Sequence, residues 1–412
     1  MLIESTLMPS RSLSAPEAAA RLGVKRETLY AYVSRGVLSR RVGADGKSSV
    51  FDAGEVEQLV GRRRRGRPPA ASIDLTITSA LTRITDEGVW YRGVSLRDIV
   101  GRWSFERTAE WLWSGGDGVD RPPSAEAHWP AARVPVPRGR GRRVDGLVAL
   151  AAAVAMTSTE PRPEDAVASG RRLIAAFADR VPPPAGERAV APMDRSIAAR
   201  LTARLGGTLP AVTLAPLVDR VLVALADHEL ASSTLAARVA ASTRADAHGV
   251  VVAGLGVLGG PLHGAASGEA VRFLRDCRSA GVRRTVDGLL ATGRHIPAFG
   301  HTIYRGTDPR HALLAETFRS SSPELAAVME VVDAAADVVG DAIGKYPNVD
   351  LSIAALTLGA GLAPDTGEVL FAVARTAGWI AHAIEEYGEA PVRFRPRSVY
   401  VGPIRRADHR PG

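Results

Sequence analysis

Apolar residues recur along most of this chain without the two-residue alternation of strands. Runs rich in Ala, Leu and Val at residues 214–225 and 370–384 exceed the usual length of a strand, and they predict buried helices. The second run is apolar nearly all round, with Arg375, Thr376 and His382 as its main polar exceptions. Because a buried guanidinium is costly without an anion, we expect a carboxylate to meet Arg375. The pattern predicts a mainly α protein.

The N-terminal part follows a different pattern. Residues 13–36 predict two short helices joined by a tight turn, with Ser14 as the N-cap of the first helix and Glu17 as its capping-box partner. The residues on either side of Asp45-Gly46 predict a hairpin. The order of helix, helix, hairpin and helix resembles the small winged-helix (helix-turn-helix) domains of the MerR and excisionase type.

The composition changes after this region. Residues 63–72 begin with arginines and have no apolar pattern, so they predict an extended basic linker. We therefore divide the chain into a winged helix-turn-helix domain at residues 1–62, this linker, and a large domain at residues 73–412.

The composition also limits the class of protein. Of the 412 residues, 46% are hydrophobic and 23% are charged, a balance typical of a globular protein with two or three domains. The single cysteine, Cys277, forms no internal disulfide and cannot alone supply a zinc site. Residues 249–262, the longest stretch without a polar side chain, are too few to span a bilayer, and residues 1–20 lack the features of a signal peptide. We expect a cytoplasmic protein with no metal.

The net charge of +8 is concentrated near the N-terminus. Residues 1–70 hold 13 Lys/Arg against 7 Asp/Glu, a net +6, which leaves +2 for the remainder. A polyanion is therefore expected to meet the first 70 residues. The alternative is that this helix-turn-helix unit contacts another protein. The candidate DNA-binding residues are Lys25, Arg26, Tyr30, Arg40 and Arg41.

A glycine motif at residues 254–259 matches the dinucleotide-binding fingerprint G-x-G-x-x-G. That fingerprint needs a strand before it and an acidic residue about 20 positions later. Here it follows helical, Ala-rich sequence. We interpret these glycines as allowing close approach between helices.

Several titratable residues stand beside glycine or proline, where the backbone is fixed and approachable. His263, His301 and Asp350 are the main examples. Taken singly, each histidine favours a structural role, and Asp350 is most simply the N-cap of a helix that starts at Leu351. Together they indicate a site for chemistry.

Residues 73–403 contain several motifs that, in this order, resemble the citrate synthase family. The motifs are Tyr91-Arg92-Gly93-Val94 with Ser104-Phe105-Glu106, Asp227-His228-Glu229, Pro261-Leu262-His263-Gly264, Phe299-Gly300-His301 through Arg310, Tyr346-Pro347-Asn348-Val349-Asp350, Arg375-Thr376-Ala377-Gly378-Trp379-Ile380-Ala381-His382 and Arg395-Pro396-Arg397-Ser398. The resemblance implies an acyltransferase that condenses acetyl-CoA with oxaloacetate and hydrolyses the product to citrate and CoA.

The resemblance also implies a role for each matching residue. Asp350 corresponds to the base that deprotonates the acetyl group, His263 to the donor to the enol oxygen, and His301 to the group that polarises and protonates the ketone. Arg305 matches a position that meets a coenzyme A phosphate. The residues that match the oxaloacetate-binding set are His228, Arg310, Arg375 and Arg395.

By resemblance, the fold is a large helical domain with a smaller one inserted near residues 264–352, and the active site lies between them. A homodimer is implied in which Arg395 reaches the partner's site. No bound cofactor or metal is implied, since the coenzyme A thioester is a substrate. Two alternatives stay open: a 2-methylcitrate synthase that uses propionyl-CoA, and a DNA-binding regulator whose synthase-like body senses a metabolite. Because Asp350, His263 and His301 are all present, the enzyme is favoured.

Overall fold

The chain divides into two compact units, Met1–Thr78 and Ser79–Gly412. The computed structural model describes residues 12–22, 24, 29–30, 32–33, 38–42, 48–52, 56, 76–85, 87–114, 129, 145, 147–148, 151, 165–186, 188–260, 263–264 and 266–395.

The first unit contains a small antiparallel sheet and a helix. Its elements are β1 (Ser12–Ser14), α1 (Ala15–Leu22), β2 (Arg41–Val42) and β3 (Ser49–Asp52), and the strand order is β1-β3-β2. The predicted hairpin is confirmed by the antiparallel pairing of β2 with β3. The helix begins at Ala15, as expected with Ser14 as its N-cap. The strand β1, in which Leu13 pairs with Phe51, was not predicted.

The predicted capping interaction is present at that helix start. The backbone N–H and the hydroxyl of Ser14 both donate to Glu17 Oε2, at 2.8 and 2.7 Å. The buried face of α1 packs in a core cluster with Leu29 and Phe51. The apolar positions of α1 are therefore the ones that face this core.

The candidate DNA-binding residues are only partly described. Arg40 and Arg41 are exposed, with Arg41 on β2. The Tyr30 side chain is half-buried, and its hydroxyl donates to Ser49 Oγ at 3.3 Å. Lys25 and Arg26 lie outside the described residues.

The second unit is predominantly helical. A meander with strand order β4-β5-β6 opens it, formed by β4 (Thr82–Thr85), β5 (Gly88–Tyr91) and β6 (Val94–Ser95). The helices that follow are α2 (Leu96–Ile99), α3 (Phe105–Ser114), α4 (Ala166–Arg180), α5 (Ile197–Leu205), α6 (Ala211–Leu225), α7 (Ser232–Ser242), α8 (Ala247–Leu258), α9 (Ala266–Ala280), α10 (Val282–Ala291), α11 (Pro309–Arg319), α12 (Pro323–Ile343), α13 (Val349–Gly359) and α14 (Thr366–Tyr387). Among the described helices, none combines the length and apolar character needed to cross a bilayer.

Helix α14 lies at the centre of the second unit. It is buried along nearly its whole length and packs against α3, α4, α6, α7 and α8. Both helices predicted from long apolar runs are confirmed, since α6 and α14 contain them. Helices that are apolar all round belong in such interiors because they have no face to offer to water.

The glycine motif lies inside and at the end of a continuous helix, α8. A Cβ atom at Gly254 would come within 2.6 Å of the Trp379 ring on α14. This glycine therefore lets two helices approach closely, and the interpretation against a dinucleotide-binding loop is supported by its helical conformation.

Helices α9 to α13 pack extensively on one another. The main contacts join α9 to α10 and α13, and α12 to α10, α11 and α13. Helices α9 and α13 also contact α14. This packing places three segments beside α14: the turn that begins α11, the turn that begins α13, and the chain before α9.

Candidate active site

A cavity of about 440 Å³ lies where these turns meet α14. Six of the eight residues predicted for the chemistry and the substrates line it. They are His228, His263, His301, Arg310, Asp350 and Arg375.

Asp350 lies in the first turn of α13. The prediction that it caps a helix starting at Leu351 is wrong: the helix starts at Val349, and the side chain of Asn348 accepts the Asp350 N–H at 3.0 Å. The Asp350 carboxylate is therefore free of capping. Its Oδ1 is buried with no hydrogen-bond partner among the described residues. Burial raises the pKa of Asp350 to about 6, although the Arg310 cation opposes the shift.

Asn348 also joins the segment before Asp350 to the segment before His301. Its side-chain amide donates to the Gly300 carbonyl at 3.0 Å, and its backbone N–H donates to the Ala298 carbonyl at 3.0 Å. A third bond runs from the Gly300 N–H to the Tyr346 carbonyl at 2.8 Å. These bonds fix the two segments relative to each other, which orients groups from distant sequence positions.

His263 is held by a serine at the start of α7. Its Nε2 lies 2.9 Å from the Ser233 hydroxyl, and Ser233 is fully buried. Burial, aided by the Arg375 cation, lowers the pKa of His263 to about 4. The ring is therefore neutral at pH 7. A serine hydroxyl can donate to Nε2, and in that arrangement the ring proton is on Nδ1, which can donate to a ligand.

The His301 ring has the opposite tautomer. Its Nδ1 accepts the backbone N–H of Ile303 at 3.0 Å. Burial and the nearby Arg310 lower the pKa of His301, so the neutral ring carries its proton on Nε2. The cavity therefore has two neutral imidazole donors.

His228 packs edge-on against His301, with 5.3 Å between ring centroids. Its Nε2 lies 2.8 Å from the Tyr304 hydroxyl. Burial and the cations Arg310 and Arg375 lower the pKa of His228 well below its usual value. This third histidine is also neutral, so its ring can recognise an oxygen without adding charge.

Two buried guanidinium groups provide the positive charge of the cavity. Arg310 is paired with Asp308 through Nη2 and Oδ2 at 2.7 Å, and although burial opposes it, Asp308 raises the pKa of Arg310. Arg375 donates from Nε to the Leu225 carbonyl at 3.0 Å. No ion pair between Arg375 and a carboxylate is seen among the described residues, and Asp227 acts on Arg375 only through its field.

A buried chain of polar groups extends from Asp227 away from the cavity. His382 Nε2 lies 3.3 Å from Asp227 Oδ1, and Arg238 Nη1 lies 2.7 Å from His382 Nδ1. Because arginine can only donate, the Nδ1 atom accepts and Nε2 carries the hydrogen that faces Asp227. Arg238 also pairs with Glu386, which pairs with Arg393 at 2.7 Å. This chain explains why His382 interrupts the apolar helix α14.

The remaining two predicted residues lie outside this cavity. Arg305 lines a second cavity of about 610 Å³, which shares His301 with the first and also contains Lys345. Arg395 is exposed and is not among the lining residues of either cavity. In the described part of the chain, no three His, Cys, Asp or Glu side chains are grouped to hold a metal ion.

Comparison with known proteins identifies the family of the chain. Residues 74–397 match the family described as "Citrate synthase, C-terminal domain". The chain belongs to the citrate synthase family. The citrate synthase of Thermoplasma acidophilum, solved as a ternary complex with carboxymethyl coenzyme A and oxaloacetate, is similar in fold. The TM-score is 0.67 at 26% identity, and the match covers 82% of this chain and 96% of that one.

Two relatives show how far the sequence similarity extends. The citrate synthase of Haloferax volcanii is 35% identical over 210 residues, which are 50% of this chain and 55% of that protein. The 2-methylcitrate synthase of Shewanella oneidensis is 32% identical over 216 residues, 51% of this chain and 56% of that protein. The chain thus spans about half the length of these curated relatives.

Four residues that lie around this cavity were assigned no role in the sequence analysis. Ser233 holds His263, Tyr304 contacts His228, Asn348 frees Asp350 from capping, and Asp308 pairs with Arg310. Asp308 and Asn348 carry a usable signal, since each stands where a helix begins. Ser233 and Tyr304 have none, because their contacts join segments far apart in sequence.

Proposed function

We propose that this protein condenses an acyl-CoA thioester with oxaloacetate and hydrolyses the product to a tricarboxylate and CoA, as a citrate synthase. The observation that carries the proposal is the unpartnered, buried carboxylate oxygen of Asp350 in a cavity with neutral histidine donors and two guanidinium groups. A carboxylate is too weak a base for a thioester methyl group unless the oxygen that gains charge is stabilised at the same time.

Oxaloacetate fits the cationic part of this cavity. Its two carboxylates match the fork geometry of guanidinium groups, which bind such anions in two-point contacts. Arg310 and Arg375 supply that geometry here, and His228 adds a neutral donor for a further oxygen. Burying two guanidinium groups costs free energy, and a bound dianion would offset that cost.

The thioester is activated between Asp350 and His263. Asp350 takes a proton from the carbon next to the thioester carbonyl, while His263 donates from Nδ1 to the carbonyl oxygen. Since His263 is neutral at pH 7, it stabilises the enol or enolate by hydrogen bonding and gives up no imidazolium proton.

Carbon–carbon bond formation follows at the ketone. The nucleophilic carbon attacks the ketone carbon, and the Nε2–H of His301 stabilises the alkoxide that forms by hydrogen bonding. The proton that Asp350 took from the acyl group balances the proton that this oxygen finally gains. Water then cleaves the thioester bond of the condensed product, which releases the CoA thiol. The adjacent second cavity is suited to the polar part of CoA because Arg305 and Lys345 can meet its phosphates.

The acyl donor is decided by one assay. The full-length protein is incubated with oxaloacetate and either acetyl-CoA or propionyl-CoA, and thiol release is followed. A rate with acetyl-CoA that exceeds the rate with propionyl-CoA supports citrate synthase, and the reverse supports 2-methylcitrate synthase, as in one relative. Binding of oxaloacetate without thiol release from either donor would refute the enzyme and favour a metabolite-sensing regulator.

We further propose a homodimer in which Arg395 completes the partner's site and helices α9 to α13 form a small domain near residues 264–352. Arg395→Ala and Arg375→Ala are each expected to lose most of the activity. Mixing the two is expected to restore up to about a quarter of the wild-type rate, since random exchange puts half the chains in mixed dimers with one intact site each. Subunit exchange is followed by mass spectrometry. If exchange occurs without restored activity, both residues serve the same subunit's site.

The first 70 residues are proposed to bind DNA through the winged helix-turn-helix unit. The support is the net charge of +6, the small three-stranded sheet and the exposed Arg40 and Arg41. Both arginines are replaced by Gln. The slope of the logarithm of the binding constant against the logarithm of the salt concentration is then expected to fall in magnitude by about one for each of these arginines that contacts a phosphate. Fluorescent duplex fragments are titrated at two salt concentrations. The control replaces Arg97 and Arg102, which are exposed in the second unit. If the wild type binds no DNA even at low salt, the DNA-binding proposal is wrong and the unit contacts another protein instead.

A further inference from the structure

Asp308 is a fully buried carboxylate at the start of α11 that accepts four hydrogen bonds. Its Oδ1 accepts the backbone N–H of Arg310 at 2.9 Å and Arg310 Nε at 3.1 Å. Its Oδ2 accepts Arg310 Nη2 at 2.7 Å and the backbone N–H of Val349 at 3.1 Å. One side chain thus binds a substrate-binding guanidinium and the first residue of the helix that carries Asp350.

These contacts have a structural consequence for the site. Arg310 is fixed on α11, whereas Asp350 follows Val349 on α13, and the two helices begin 40 residues apart. We propose that Asp308 is a positioning residue that sets the Arg310 guanidinium and the Asp350 base relative to each other. This inference rests on the proposed function, since it assigns Arg310 to oxaloacetate and Asp350 to the thioester.

The chemistry of the four donors requires a carboxylate at this position. All four partners are N–H groups, and an ionised aspartate offers two acceptor oxygens with no donor. An asparagine has the same shape, but its NH₂ group would face either Arg310 Nε and the Arg310 backbone N–H, or Arg310 Nη2 and the Val349 N–H. In either orientation two of the four contacts would become donor–donor contacts, one of them with the guanidinium, and buried donors would lose their partners.

Asp308 also acts on the charge of Asp350. Burial is the main cause of the raised pKa of Asp350, the Arg310 cation lowers it, and the Asp308 anion raises it. The other titratable groups on the cavity wall are His228, His263, His301 and Arg375, with Glu269 and His295 as further members. Helix α12, packed on α13, contributes no lining residue in the described part of the chain.

The test compares Asp308→Asn with the wild type in steady-state kinetics across pH. Asparagine still caps a helix, so α11 keeps its start. We expect the KM for oxaloacetate to rise on the order of 30-fold or more, because a buried charge partner is lost. We also expect the acid limb of the kcat/KM profile for the acyl-CoA to move to lower pH, because Arg310 then acts on Asp350 without its counterion.

The matched control is Asp333→Asn. Asp333 forms the same two-point pair with Arg319, at 3.1 and 2.6 Å, but half-exposed and away from the cavity. It is expected to change neither KM nor the pH profile. An Asp308→Asn protein with a wild-type acid limb would overturn the proposal, because a merely structural role lowers activity without moving that limb.

A second variant tests the proposal in case the Asp308→Asn protein does not fold. Asp308→Glu keeps the charge and displaces it by one methylene, so the acid limb should stay in place while the KM for oxaloacetate rises. An unchanged KM would overturn the positioning role. Both outcomes are separate from failure of the proposed function, in which the wild type releases no thiol.

Discussion

Asp350→Asn is expected to reduce kcat for thiol release by 10²- to 10⁴-fold, the range typical for loss of a general base. The amide has nearly the same shape and leaves Arg310 and Arg375 in place. The affinity for oxaloacetate, measured by calorimetry, should therefore change by no more than about threefold. A variant with nearly wild-type kcat would show that another group removes the proton.

The control for this variant is Asp337→Asn, an exposed position on α12, which should leave the kinetics unchanged. The wild-type pH profile provides a second check. Because Asp350 acts in its ionised form and has a pKa of about 6, kcat/KM for the acyl-CoA should fall as the pH drops through this value. The acid limb should be absent from the residual activity of Asp350→Asn.

His263→Ala is expected to reduce kcat by 10²- to 10³-fold, the usual cost of losing one donor to a developing oxyanion. The ring contributes a hydrogen bond that strengthens as the thioester oxygen gains charge, so the KM for acyl-CoA should change much less than kcat. Stopped-flow measurement of thiol release distinguishes the two effects.

A companion variant tests the orientation of His263. Ser233→Ala removes the hydroxyl at 2.9 Å from Nε2 and allows either tautomer, so kcat should fall by about tenfold, less than for His263→Ala. The matched control is Ser279→Ala, an exposed serine on α9. If His263→Ala retained wild-type kcat, the oxyanion donor would have to be another group.

The site was more predictable from the sequence than were the contacts that hold it. His263, His301 and Asp350 stand near glycine or proline, so composition alone distinguishes these positions from the Ala- and Leu-rich helices. Ser233 and Tyr304 lack such a signal, because a serine at a helix start is ordinary and a tyrosine is usually a packing residue. Only the folded chain brings them to His263 and His228.

The fold was predicted best where the hydrophobic pattern was longest. Helices α6 and α14 follow directly from their apolar runs, while β1 was missed because three residues carry too little periodicity to distinguish a strand from a helix start. The N-cap of α13 was misplaced by two residues. Asn348 and Asp350 are both good caps, and only the contacts of Asn348 with Gly300 and Ala298 decide between them.

The central position of α14 has a consequence for synthesis of the protein. Arg375 binds the Leu225 carbonyl across 150 positions of sequence, and α14 is the last helix the structure describes. The other core helices are therefore synthesised before α14, and their apolar faces stay exposed until α14 packs against them. Contacts so distant in sequence slow folding and expose intermediates to aggregation. We expect the proposed oxaloacetate site to form only after α14 has been synthesised, and the earlier core helices to be prone to aggregation until then.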